Sequence, residues 1–242
     1  MHEYRHAIVI GASSGIGQAL VEKLATAGCR VGAVARRSDR LEALAQRFPD
    51  RVFAFPHDVR SYDDVPRLFQ EVTKQLGGLD LVIYASGVMP EVGAMEFSFE
   101  KDREMVEVNL LGAIAWLDQA AIRFQNTKHG SIVAIGSVAG DRGRWAQPVY
   151  NTTKAALATY MEALRNRIAR LGVKVVTIKA GPVQTEMTAK LHLKGAMQAD
   201  AAAELILKKS QRTGEHYLKF SHRLAFWIIK RIPSPIFRRL RI

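Results

Sequence analysis

Short, unbroken apolar runs at 7–10, 31–35, 52–55, 79–85, 131–135 and 173–178 alternate with longer stretches at 18–27, 40–48, 62–76, 99–125, 148–171 and 199–212. The stretches have helical periodicity and end at a Gly, a Pro or a polar cluster. Runs without a polar alternation suit strands covered on both faces, and the stretches between them suit crossover helices. The pattern predicts an α/β fold, a doubly wound parallel sheet of the Rossmann type, in one domain over 1–218, with a basic amphipathic C-terminal extension over 219–242. In such sheets ligands bind beyond the carboxyl ends of the strands, so the loops after Ile10, Ala35, Phe55, Ala85, Ile135 and Ile178 should converge on one crevice.

Candidate chemistry falls on those loops. Gly11-Ala12-Ser13-Ser14-Gly15-Ile16-Gly17 lies between the first strand and the first helix, where backbone amides and a helix N-terminus favour a pyrophosphate. At the end of the second strand, where an NAD site places a carboxylate, the chain has Arg36-Arg37. A guanidinium holds a 2′-phosphate that a carboxylate would repel, so the pair predicts NADP(H), with Arg36 ahead of Arg37. Asp58, after the third strand, is compatible either with accepting from the adenine amino group or with capping the next helix.

Tyr150 and Lys154 stand one helical turn apart, on one face, and Ser137 ends the strand that the parallel-sheet reading brings beside them. A free tyrosine titrates near 10, too high for proton exchange at neutral pH. A lysine cation at about 4 Å attracts a phenolate by roughly 4 kcal/mol, enough to bring the phenol near neutrality. The expected chemistry is proton transfer from Tyr150 to a carbonyl oxygen as hydride arrives, with Ser137 bonded to that oxygen and Lys154 holding the nicotinamide ribose.

Composition narrows the alternatives. At 48% hydrophobic the 242 residues are enough for a full core, and Cys29 as the sole cysteine excludes an internal disulfide and a cysteine-based metal cluster. The histidines lack metal-ligand spacing, so no metal is expected. Residues 1–6 lack the apolar run of a signal peptide, and no segment reads as about 18 continuous apolar residues; the expectation is a cytoplasmic protein. The formal charge of +12 is partly a property of the tail, because Lys219, Arg223, Lys230, Arg231, Arg238, Arg239 and Arg241 follow Glu215, the last acidic residue. Few aromatics accompany the central basic residues, so no nucleic-acid partner is expected.

The combined motifs resemble the short-chain dehydrogenase/reductase family from about Ala7 to Leu218: the Gly11 to Gly17 turn, Asp58-Val59, Asn109 in Val108-Asn109-Leu110-Leu111-Gly112, Ile135-Gly136-Ser137, Tyr150-Asn151-Thr152-Thr153-Lys154 and Ala180-Gly181-Pro182-Val183-Gln184-Thr185. The resemblance implies that Asn109, Ser137, Tyr150 and Lys154 form the catalytic set, with Asn109 distorting its helix and holding a water that links Lys154 to solvent. It implies an NADP(H) site lined by Gly11, Ser13, Ser14, Gly15, Ile16, Gly17, Asp58, Val59, Gly87, Tyr150, Lys154, Gly181, Pro182, Val183 and Thr185, together with Arg36 and Arg37. It also implies a homodimer or homotetramer paired through the helices holding Asn109 and Tyr150. Two departures stand out: Ile10 replaces the usual Thr before the first glycine, and Tyr84-Ala85-Ser86-Gly87 replaces Asn-Asn-Ala-Gly, so the fourth-strand loop needs another brace.

Met89, Met95, Phe97, Trp145, Met187, Leu191, Leu193 and Met197 point to an apolar pocket for a small-molecule ketone, aldehyde or 3-oxoacyl substrate, although such residues also cover cores. The tail, with Pro233-Ser234-Pro235 between two basic apolar pieces, suits an anionic membrane surface, a partner subunit or a cover for the pocket equally well. Two other functions stay open. One is an NADP(H)-binding sensor without turnover, and the other a peripheral membrane protein using the tail.

Overall fold

The computed structural model describes residues 4–93, 95–191 and 195–240, with Lys190 and Leu191 as backbone only. Each of the six apolar runs forms a strand: β1 (His6–Ile10), β2 (Arg30–Ala35), β3 (Val52–Pro56), β4 (Leu81–Tyr84), β5 (Ser131–Ser137) and β6 (Lys174–Ala180). After the two-residue pair β7 (Val183–Gln184) and β8 (Met197–Gln198), a seventh strand, β9 (Gly214–Tyr217), joins the sheet. The order is β3-β2-β1-β4-β5-β6-β9, every pair parallel. β9 escapes the sequence pattern because it is a polar edge strand, Gly-Glu-His-Tyr, that adds no apolar run.

Side chains alternate between two cores. Ala7, Val9, Val31, Ala33, Leu81, Ile83, Val133 and Ile178 pack on one face with α1 (Gly15–Thr26), α2 (Ser38–Arg47) and α7 (Ala199–Lys209). Ile8, Ile10, Val34, Val82, Tyr84, Ile132 and Val175 pack on the other with α3 (Val65–Leu76), α5 (Gly112–Thr127) and α6 (Pro148–Ile168). This period-two division of continuous apolar runs is what a doubly covered parallel sheet requires. Ile10, one of the two departures, is fully buried in the second core. Cys29 is buried in the first, and that burial pushes its thiol up to about 12.

The predicted helix over 99–125 is continuous from Phe99 to Thr127 but consists of α4 (Phe99–Val106), a π turn at Glu107–Leu111, and α5. This run is long and apolar enough to cross a bilayer by length and composition. Here Trp116, Leu117 and Phe124 are fully buried on the sheet, so its apolar stripe belongs to the core. Pro66 lies in the first turn of α3, the one helical position that tolerates its missing N–H, and a short 3-10 turn (Tyr62–Asp64) precedes it. The strand order reverses between β1 and β4, which opens a crevice at their carboxyl ends. The extension folds as α8 (Phe220–Ile229) and α9 (Ser234–Phe237).

Candidate active site

The glycine turn is built for close approach. Gly11 has φ +89°, and a Cβ on Gly17 would lie 2.0 Å from the Gly11 carbonyl oxygen, so the turn tolerates no side chain there. Ser14 is extended and gives α1 no side-chain cap, which leaves the first-turn amides of α1 to face a ligand. Ile16 packs half-buried against the core.

Over the turn lies Arg37. Its guanidinium donates to Ser13 Oγ at 3.1 and 3.0 Å and to Ser14 Oγ at 2.7 Å, and it pairs with Glu186 at 2.8 Å. Arg40 pairs with the same carboxylate. Arg36, the residue placed first on sequence grounds, is exposed, and Arg37 is the one seated on the turn. Hydrogen bonds from Arg37 and then Arg40 hold the Glu186 carboxyl below its ordinary range. The neighbouring Thr185 reaches the same place, with its γ-methyl 2.9 Å from where a Cβ of Gly15 would be.

Asp58 is not the cap of α3. Its carboxylate accepts the Arg60 backbone N–H at 3.0 Å and the Arg60 guanidinium at 2.6 Å, closing a turn one residue after buried Val59. Those bonds from Arg60 outweigh burial and hold the Asp58 carboxyl low.

Ser137, Tyr150 and Lys154 meet at the end of β5. Pro148 starts α6, which places Tyr150 in its first turn and Lys154 one turn on. Lys154 Nζ is buried, donates to the Ile135 carbonyl at 3.1 Å and lies 5.7 Å from the centre of the Tyr150 ring. Burial pushes Lys154 down to about 8. Burial pushes the Tyr150 phenol up, against the pull of the Ser137 hydroxyl and of Arg144. Burial thus carries the phenol away from neutrality, and Lys154, beside the ring, gives its hydrogen bond to a backbone carbonyl. Ser137 Oγ also accepts the Ala139 N–H at 3.0 Å.

Asn109 is fully buried in the π turn, a distortion of the kind that accompanies functional sites. Its amide grips Val88 twice, accepting the Val88 N–H at 2.7 Å and donating to the Val88 carbonyl at 2.9 Å. That grip holds Gly87 so that its Cβ position lies 3.3 Å from Asn109 Oδ1 and 3.6 Å from Lys154 Nζ. The missing brace of the fourth-strand loop is supplied by Tyr84. Its hydroxyl, fully buried, donates to the Val108 carbonyl at 2.5 Å, inside the π turn. A Cβ on Gly112 would lie 2.8 Å from that hydroxyl, so Gly112 makes room for the tyrosine. Sequence reasoning marked Tyr84 as a departure and Gly112 as part of a motif without pairing them.

The substrate side divides differently from the expected apolar set. Met187 reaches the crevice, its methyl 3.9 Å from the Cβ position of Gly87. Met95, Phe97 and Trp145 are exposed, while Met197 packs against the first core. The side chain of Leu191 and all of Leu193 lie outside the described residues. Arg144, near enough to Tyr150 to act on its phenol, was not singled out from sequence.

The outer edge of the crevice is held by charge. The side chain of Asp141, fully shielded, binds Lys179 at 2.5 Å, Lys230 at 3.1 Å and the Tyr217 hydroxyl at 2.7 Å. Arg142 donates to the Ile229 and Ile232 carbonyls, both at 2.5 Å, and lies 4.0 Å from the centre of the buried Phe237 ring. His222 of α8 sits against Gly181, whose Cβ would clash with it at 2.1 Å. Beyond Gly181, the Pro182 carbonyl and Val183 pair with Met197, joining β7 to β8.

A sequence model of the short chain dehydrogenase family matches residues 5–195. An uncharacterized oxidoreductase of Myxococcus xanthus is 35% identical over 98% of both chains. One from Staphylococcus aureus is 32% identical over 76% of this chain and 80% of its own. Among solved structures, a short chain dehydrogenase from Burkholderia cenocepacia in complex with NADP superposes with a TM-score of 0.87 at 22% identity, covering 100% of both chains. ElxO with NADP bound superposes with a TM-score of 0.82 at 18% identity, over 93% of this chain and 100% of its own.

Proposed function

The chain belongs to the short-chain dehydrogenase family, and on that premise we propose that it is an NADP(H)-dependent carbonyl reductase acting on an apolar ketone, aldehyde or 3-oxoacyl compound, and on the corresponding alcohol in reverse. The observation that carries this reading is the meeting of Ser137, Tyr150, Lys154 and Asn109 at the end of β5, with only β4 between that strand and the one that leads into the glycine turn covered by Arg37. The residues fit the cofactor: a turn that admits no side chain at Gly17, an uncapped helix N-terminus for a pyrophosphate, and a guanidinium where a 2′-phosphate would stand. Solved relatives of the same fold hold NADP.

Bound NADPH supplies the hydride. Tyr150, whose phenol burial pushes up from its ordinary value, donates its proton to the carbonyl oxygen, and Ser137 donates a hydrogen bond to the same oxygen. Lys154, which donates to the Ile135 carbonyl, would hold the ribose hydroxyls of the cofactor, and Asn109 keeps the Val88 backbone in place beside it. Arg37, paired with Glu186, would hold the 2′-phosphate, and Asp58 would accept from the adenine amino group. Met187 contributes an apolar wall.

A panel of apolar ketones, aldehydes and 3-oxoacyl thioesters, scored by the loss of NADPH absorbance, tests the reading. Tyr150→Phe should lower turnover of any substrate found by about 10²–10⁴-fold and leave NADPH affinity within about twofold. Turnover near that of the parent in this variant contradicts the assignment. The sensor reading gains nothing from a buried proton donor beside a lysine.

A further inference from the structure

The segment after β9 presents a face that the rest of the molecule leaves open. α8 divides lengthwise. His222, Phe226 and Ile229 are half-buried against the protein. On the other side Phe220, Leu224, Trp227 and Ile228 recur at i, i+4, i+7 and i+8, with exposures of 75, 53, 54 and 51%. The stripe continues through Ile236 and Leu240, exposed by 53 and 45%, while Phe237 between them is buried under Arg142.

Cations flank this stripe. Lys219, Arg223, Lys230, Arg231, Arg238 and Arg239 are interleaved with it, and no acidic residue follows Glu215. Arg231 lies 3.9 Å from the centre of the Trp227 ring, so one side chain offers both charge and apolar surface. Among the described residues, Lys230 alone of these cations has a carboxylate partner, Asp141.

We propose that α8 and α9 form a docking face for an anionic phospholipid bilayer, with the stripe in the interfacial layer and the cations at the headgroups. The chemistry fits this occupant better than a second copy of the chain. A two-fold contact through this face would set arginine against arginine with no carboxylate in the segment to separate them. Nucleic acid would meet the cations and leave the apolar stripe in water. An interfacial helix with a cationic flank satisfies both.

The attachment of α8 gives docking a structural consequence. The helix is fixed to the crevice by Lys230 on Asp141, by Arg142 on two carbonyls that end it, and by His222 on Gly181. A chain docked by this face therefore carries the loops around 141 and 181 next to the membrane surface.

The test is co-sedimentation of the full chain with vesicles of phosphatidylcholine alone or mixed with phosphatidylglycerol, alongside Trp227 fluorescence and light scattering. Binding should appear with the anionic vesicles and weaken with salt. It should fall about fivefold for each cation removed in Arg223→Gln and Arg238→Gln, and at least about tenfold in Leu224→Ser/Trp227→Ser/Ile228→Ser. Anionic vesicles should blue-shift the emission of the unsubstituted chain, and Trp227→Phe should remove the shift, a readout that needs no triple variant to fold. Equal sedimentation with neutral vesicles, or no blue shift, overturns the proposal. So does a change of oligomeric state on substituting the stripe without any effect of lipid, which would make this face a subunit contact.

Discussion

The inner and outer walls of the crevice are held by different forces. On the inner wall the braces of the fourth-strand loop and the π turn are neutral: the Asn109 amide on the Val88 backbone and the Tyr84 hydroxyl on the Val108 carbonyl. On the outer wall the brace is ionic, one shielded carboxylate shared among Lys179, Lys230 and Tyr217. Neutral bonds to backbone fix the position of the catalytic groups and are insensitive to pH and salt. The ionic brace joins an element added after the sheet is complete, and its hold depends on Asp141 staying charged.

The largest effect should come from Asp141→Ala. It leaves Lys179 buried with only Glu215, at 3.3 Å, to compensate, and should cost about 3 kcal/mol in chemical denaturation. Acid should do the same reversibly. Burial alone would raise the Asp141 carboxyl, but Lys179, Tyr217 and Lys230 outweigh it and hold it below its ordinary value. A depressed carboxylate stabilises the fold above the unfolded-state value and loses that contribution as pH falls through the folded one. Hydrogen exchange across 220–229 should therefore speed up below about pH 4, once corrected for the intrinsic rate, while exchange across 107–112 should not. Equal loss of protection in both regions would break the comparison.

Tyr84→Phe comes next. It deprives the Val108 carbonyl of its donor inside a buried turn and should cost about 1–2 kcal/mol, with no pH dependence between about 4 and 9. The smallest effect belongs to an exposed ion pair at the cofactor end. Glu186→Gln frees Arg37 and should tighten NADPH binding by no more than about fivefold, leaving NADH unchanged. Weaker NADPH binding would mean that Glu186 positions Arg37 instead of competing for it.

Much of this was legible in the sequence, for physical reasons. Six strands declared themselves because each is covered on both faces. The glycine turn and the Tyr150–Lys154 spacing are local, and so readable. What stayed hidden pairs residues distant along the chain: Tyr84 with Val108, Arg37 with Glu186, Asp141 with Lys179. Tyr84 in an apolar run reads as core until the π turn places a carbonyl above it. Lys179 at the end of a strand gives no sign that it will be buried. Position after the second strand put Arg36 ahead of Arg37, and only the path of the loop after β2 decides that Arg37 covers Ser13 and Ser14. The composition of the tail was plain, but its outward face depends on how Arg142 and His222 seat it.

The most direct measurement is a parallel fluorescence titration of the full chain with NADPH and NADH, repeated on Arg37→Ala. The chain should prefer NADPH by at least about tenfold, near 1.4 kcal/mol, and Arg37→Ala should abolish that preference. Equal affinity for the two cofactors in the unsubstituted chain, or binding of neither, would contradict it.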